Sequence, residues 1–116
     1  MLVKRGDIWL VNLEPTIGAE INKTRPCVII QNDIGNAHSP FTIIAPLTTK
    51  KLEVVRNFEV FVSKKAGIDA DSKALLNQIR SIDKKRLMER IGHVDDETMG
   101  IIDEAIKISL GLLPIS

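Results

Sequence analysis

At 116 residues and 44% hydrophobic content, the chain suits a single domain over residues 1–116 with its own apolar core. Its 16 basic and 15 acidic side chains leave a net charge of +1, which lacks the global basic signature of a non-specific nucleic-acid binder, so any nucleic-acid contact must use a local patch. The lone cysteine, Cys27, has neither a disulfide partner nor CxxC or histidine-rich company, which argues against a secreted scaffold or zinc module and for a reducing cytoplasm.

The N-terminus, Met1 to Asp7, has no apolar run of signal-peptide length, and no stretch reaches the roughly 20 apolar residues of a membrane helix. A soluble protein with no membrane partner is expected. Asp7 to Leu13 alternates Trp9, Val11 and Leu13 against Ile8, Leu10 and Asn12, the pattern of a strand with at least one buried face. Pro15, Gly18 and Asn22 break that pattern, so Glu14 to Thr24 reads as a surface loop long enough to carry function.

Arg25 to Gln31 is the second strand, its Pro26 near the start where a missing ladder donor is tolerated. Asn32 to Asn36 supplies turn chemistry. Phe41 to Leu47 is a third strand with Thr48-Thr49-Lys50-Lys51 at its polar end, and Asn57 to Val62 and Ser72 to Ile79 are further strands around a loop at Ser63 to Asp71. Asp83 to Leu87 predicts a short helix capped by Asp83. The final element is a helix capped by Asp95, with Asp96 and Glu97 in its first turn and Met99, Ile102, Ile106, Leu110 and Leu113 at helical spacing. Ile101, Ala105, Ile108 and Leu112 widen its apolar face enough to serve both the sheet and a second subunit. Four to six short strands followed by one packed helix imply a small, strongly curved antiparallel sheet or open barrel.

Standard chemical motifs are absent. The chain has no phosphate-binding GxxxxGK[ST] or GxGxxG loop, no HExxH and no GxSxG elbow. Asp69 and Asp71 mimic the start of a calcium loop, but glycine is missing at its sixth position and Arg80 stands at its twelfth. His38 and His93 would form an acid–base pair only by converging, and each reads as structural or surface. Trp9 among alternating strand residues reads as core rather than a stacking platform. Cys27, inside an apolar strand, reads as a small buried hydrophobe rather than a reactive thiol.

Lys4-Arg5-Gly6-Asp7-Ile8-Trp9, Gly18-Ala19-Glu20, Lys23 through Asp33, Pro46-Leu47-Thr48-Thr49, Leu75 through Asp83, and His93-Val94-Asp95-Asp96-Glu97 together resemble the MazF/PemK family of toxin endoribonucleases over nearly the whole chain. The resemblance implies a mainly β fold with an added α-helix, the SH3-like small barrel with a long C-terminal helix shared by MazF, PemK and CcdB toxins. It implies a homodimer, an antitoxin partner, and sequence-specific cleavage of single-stranded mRNA with no cofactor and no metal. It also implies Arg25 and Thr48 as the catalytic centre. Some relatives carry serine where this chain has Ala19, so a hydroxyl contribution is lost there. A CcdB-like gyrase poison is the poorer match, because those toxins depend on a C-terminal tryptophan and this chain ends Leu112-Leu113-Pro114-Ile115-Ser116. A non-catalytic SH3-like binding module remains open, since small barrels host many functions.

Metal-free RNA cleavage uses the substrate's own 2′-hydroxyl as nucleophile. An arginine suits the charge gathering on phosphate, because its planar fork of donors stays charged, and Thr48 adds an oriented hydroxyl. Arginine is a poor base, with a pKa above about 12, so Glu20 is the carboxylate to test as base or as the group orienting Arg25. Asn32, Thr49 and Gln78 offer contacts to the edges of unpaired bases, and Lys50, Lys51 and Arg80 offer cations for the backbone.

Overall fold

The structure is a computed structural model and describes residues 2–14 and 24–114. Strands β1 (Asp7–Asn12), β2 (Thr24–Ile29), β3 (Phe41–Thr48), β4 (Glu59–Val62), β5 (Ser72–Leu75), β6 (Arg80–Asp83) and β7 (Leu87–His93) alternate with helices α1 (Asp33–His38) and α2 (Asp96–Ser109) and with three single 3-10 turns. All pairings are antiparallel. The order is β4-β5-β3-β2-β1-β7, with β6 also on β3.

One edge of β3 is shared: Phe41–Ile44 pairs with β6 and Leu47–Thr48 pairs with β5. That change of partner, with register shifts between β1 and β7 at Ile8/Trp9 and Leu10/Val11, bends and twists the sheet. The path does not close, and the result is a curved, barrel-like sheet. Alternation along each strand feeds two apolar clusters. Ile8, Val28, Ala45, Leu47, Val60 and Val62 join Met99, Ile102 and Ala105 of α2 in one. Trp9, Val11, Cys27, Ile29, Ile44 and Ile82 form the other. Trp9 and Cys27 are therefore core residues.

Asp95 caps α2 by accepting the Thr98 N–H at 2.8 Å, and Asp83 caps the 3-10 turn at Lys84–Arg86 through the Lys85 N–H. Helix α2 stops at Ser109, with Gly111 at a left-handed φ of 76°, so Leu113 lies outside it. Met99, Ile102 and Ala105 are buried, whereas Ile101 and Leu110 are exposed. No helix among the described residues is long and apolar enough to cross a membrane.

Three segments depart from the sequence reading, and the strands among the described residues number seven rather than four to six. Asn32–Asn36 is not a simple turn: the Asn32 amide oxygen accepts the Gly35 N–H at 2.8 Å and starts α1. Ser72–Ile79 is not one strand but β5 followed by a 3-10 turn at Leu76–Gln78, after which the chain moves to the other half of β3 as β6. Leu87–His93, for which the sequence predicted no strand, is the edge strand β7; its exposed Met88, Glu89 and Arg90 conceal the alternation.

Candidate active site

The β2–β3 register, Cys27 opposite Pro46, carried outward by two residues on each strand, sets Arg25 across from Thr48. Cross-strand partners share a face of the sheet, so both side chains emerge on the Cys27 side. Arg25 is half-buried, and its Nη1 donates to the Leu47 carbonyl at 3.1 Å, the peptide that precedes Thr48. Thr48 is 7% exposed, and its Oγ1 accepts the Lys50 N–H at 3.2 Å. The hydroxyl proton is thereby left to donate elsewhere.

Arg80 sits across from Ile44 on the other edge of β3, which puts it on the same face. Burial pushes the Cys27 thiol up to about 12, and the positive charges of Arg25 and Arg80 act against that rise. Both guanidinium groups therefore lie within electrostatic reach of one buried atom. Two fixed cations and one hydroxyl donor thus gather at this part of β3, a set suited to an anionic group whose charge grows during reaction.

The remaining expected site residues divide by position. Thr49 and Lys50 follow Thr48 and are exposed, and Gln78 lies half-buried in the turn that leads into Arg80. Asn32 is placed elsewhere: Arg25 to Ile29 alone covers about 13 Å of strand, and Asn32 lies beyond that far end with its amide oxygen used as the α1 cap. Glu20, with Gly18 and Ala19, lies outside the described residues. The histidines do not converge on Arg25. His93 is held by buried Asp7 at 2.9 Å, at the end of β1 away from Val11, the partner of Arg25. His38 is the exposed last residue of α1. Among the described residues, no group of three or more His, Cys, Asp or Glu side chains is placed to hold one metal ion.

Two features were not anticipated. Lys73, across from Thr48 on β5, is 5% exposed and ion-paired with Glu59 at 3.0 Å; a lysine in a short strand gives no sign of burial. Arg86 donates to the Asn12 carbonyl at 3.1 Å and also to that of Glu14, so it anchors the point where the chain leaves β1. A groove of about 450 Å³ opens on the opposite face of β2 and β3, lined in part by Pro26, Thr49, Ser72 and Glu89. Pro26 and Thr49 are the chain neighbours of Arg25 and Thr48.

Residues 4–110 match the model of the PemK-like, MazF-like toxins of type II toxin-antitoxin systems. The chain is 46% identical over 115 residues to endoribonuclease EndoA of Bacillus subtilis (strain 168), covering 97% of this chain and 98% of that protein. Its fold is similar to the crystal structure of MazF from Deinococcus radiodurans (TM-score 0.83, 20% identity, 96% and 98% covered). It is also similar to a mycobacterial endoribonuclease solved in complex with its cognate antitoxin (TM-score 0.81, 21% identity, 97% and 98% covered). A family match over almost the whole length, on the fold and strand-end residues described above, places this chain in the PemK-like, MazF-like toxin family of type II toxin-antitoxin systems.

Proposed function

We propose that this chain, an endoribonuclease of the MazF/PemK toxins, cuts single-stranded mRNA at specific short sequences without a metal ion, using Arg25 and Thr48 on the phosphate. The observation that carries the reading is the Arg25 guanidinium bonded to the peptide before Thr48 on a shared sheet face, in a chain 46% identical to an endoribonuclease.

In this mechanism the 2′-oxygen attacks phosphorus as its proton passes to a base, and the P–O5′ bond breaks as the 5′-oxygen gains a proton. The products are a 2′,3′-cyclic phosphate, which water opens to a 3′-phosphate, and a 5′-hydroxyl. Arg25, with Arg80 behind it, meets the non-bridging oxygens as their charge grows, and Thr48 supplies a hydroxyl donor. Arginine stays protonated and cannot take the proton. Glu20 is the carboxylate proposed for that step or for orienting Arg25. Lys50, Gln78 and Arg80, with Thr49 on the side of the groove, are proposed to hold the unpaired strand; Asn32 would have to act from a distance.

An antitoxin that covers this face would inhibit the enzyme. That partner is supported by the family's type II description and by the antitoxin-bound mycobacterial likeness. We place the toxin in the cytoplasm, where mRNA is found, as a homodimer. Exposed Ile101, Leu110 and Leu112 at and beyond the outer side of α2 support a subunit contact, and sedimentation should give twice the 12.9 kDa chain mass.

The deciding test incubates purified protein with a long single-stranded RNA in excess chelator, beside Arg25→Ala and Thr48→Ala, and maps the ends. Discrete cuts with 5′-hydroxyl ends, lost in both variants, are expected. Ends carrying 5′-phosphate, or cutting abolished by chelator, would refute the mechanism. Folded wild-type protein that cuts no RNA would favour a binding module instead.

A further inference from the structure

Lys73 is a lysine where the physics of burial disfavours one. A cation with 5% exposure persists only when its ammonium is paired and hydrogen-bonded. Its Nζ has three donors and three acceptors: the Lys51 carbonyl at 3.0 Å, the Val54 carbonyl at 2.8 Å, and Glu59 Oε1 at 3.0 Å. The same Glu59 oxygen accepts the Arg56 N–H at 2.9 Å. Lys51, Val54 and Arg56 all belong to the segment that joins β3 to β4, and that segment begins directly after Thr48. The turn it fixes includes Lys51 at a left-handed φ of 55°, a conformation that a residue with a side chain adopts only when its surroundings hold it there.

The position of Lys73 gives this arrangement a functional consequence. It pairs with Thr48 across β3–β5 and with Phe61 across β4–β5, so its ammonium reaches the connecting segment from inside the sheet. The Thr48 hydroxyl is oriented by the Lys50 N–H, and Lys50 is fixed only as well as the turn that follows it. We propose that Lys73, with Glu59, is a positioning residue of the active site. It clamps the β3–β4 segment at three points and thereby holds the Thr48 hydroxyl and the Thr49-Lys50 backbone in their working geometry. This inference rests on the ribonuclease reading for its effect on rate, but not for its effect on the segment.

The test compares Lys73→Met, Lys73→Arg and Glu59→Gln with wild type and with Val62→Ala, a core truncation on β4 that leaves the clamp intact. Limited trypsin digestion under native conditions, read by mass spectrometry, reports cleavage after Lys50, Lys51 and Arg56. In Lys73→Met these cuts should accelerate by about ten- to hundredfold, the scale of losing charge-assisted hydrogen bonds. RNA cleavage should show kcat reduced on a similar scale, with KM changed much less. Lys73→Arg, which keeps donors and charge, should recover part of both losses. Glu59→Gln, which keeps an acceptor, should loosen the Arg56 end and act more weakly.

Unchanged trypsin sites in Lys73→Met, or a kcat loss matched by Val62→Ala at equal melting temperature, would overturn the proposal. If Lys73→Met does not fold, judged by circular dichroism, Glu59→Gln decides: wild-type rates of loop cleavage in that variant reject the clamp. Should wild-type protein cut no RNA, the ribonuclease reading fails, and the trypsin comparison still decides whether Lys73 holds the segment.

Discussion

Arg25 shows how much of the site depends on side-chain geometry rather than charge. Its Nη1 bond to the Leu47 carbonyl uses one arm of the guanidinium as a strut and aims the group at the space beside Thr48. Arg25→Lys keeps a positive charge but loses the planar fork, and kcat for RNA is expected to fall about 10²- to 10³-fold with the melting temperature nearly unchanged. Activity within a few fold of wild type would mean that charge alone suffices. Cys27 gives a second test at this scale. Burial holds its thiol at about 12 against the pull of Arg25 and Arg80, so at pH 8 it is protonated and sealed in the core. Iodoacetamide should leave it unmodified in the native protein and label it rapidly in urea; rapid native labelling would contradict its place in the core. Residue by residue, the sequence was legible where burial followed pattern, as for Trp9 and Cys27. Arg25 and Thr48 look like ordinary strand-end polar residues unless the surrounding blocks are compared with a known family. Lys73 was illegible because only the fold brings the Lys51 and Val54 carbonyls and Glu59 around it.

Helix α2 and the junction of β7 with the Lys64–Ala66 turn show two ways in which elements are held. Hydrogen bonds from the Thr98 side chain and backbone keep Asp95 below the usual carboxylate range. Its folded-state pKa is lower than its unfolded one, so its stabilisation is present above about pH 4 and is lost as pH falls through the folded value. Asp95→Asn keeps a capping oxygen but removes the titration. That variant should melt less pH-dependently than wild type between pH 5 and pH 3, and equal slopes would show that the cap carboxylate does not contribute. The junction is steric. A Cβ on Gly92 would overlap the Ala66 carbonyl, and Gly67, at φ 113°, meets the Ile91 carbonyl in the same way. Gly92→Ala is expected to cost about 1–3 kcal/mol in urea unfolding and, because Gly67 and Ile91 line the groove, to alter its shape. The elements that sequence reading missed have physical reasons for being hidden. Helix α1 contains Gly35 and is only six residues long, too short for periodicity to register. The break between β5 and β6 is set by the partners offered by β3, a long-range fact with no local signal beyond the turn at Leu76–Gln78.

At the scale of the whole molecule, 16 basic and 15 acidic groups nearly cancel, and the positive charge proposed to meet RNA is local, at Arg25, Arg80 and Lys50. Each phosphate neutralised on a single strand contributes a slope of about −0.7 to the logarithmic dependence of affinity on salt. Three such cations imply a total near −2 by the same relation, roughly. Measured with an RNA made uncleavable by a 2′-deoxy substitution at the cut site, binding should therefore weaken only moderately with salt. Arg80→Ala should flatten the slope by about 0.7, because Arg80 is proposed to hold the backbone rather than read a base. Lys107→Ala, on exposed α2 beside Glu104 at 3.7 Å, should leave the slope unchanged. A steep slope untouched by Arg80→Ala would move the RNA path away from the β2–β3–β6 face, whereas a shallow slope flattened only by Arg80→Ala fits a small, nearly neutral enzyme that grips its substrate at one patch and lets product go.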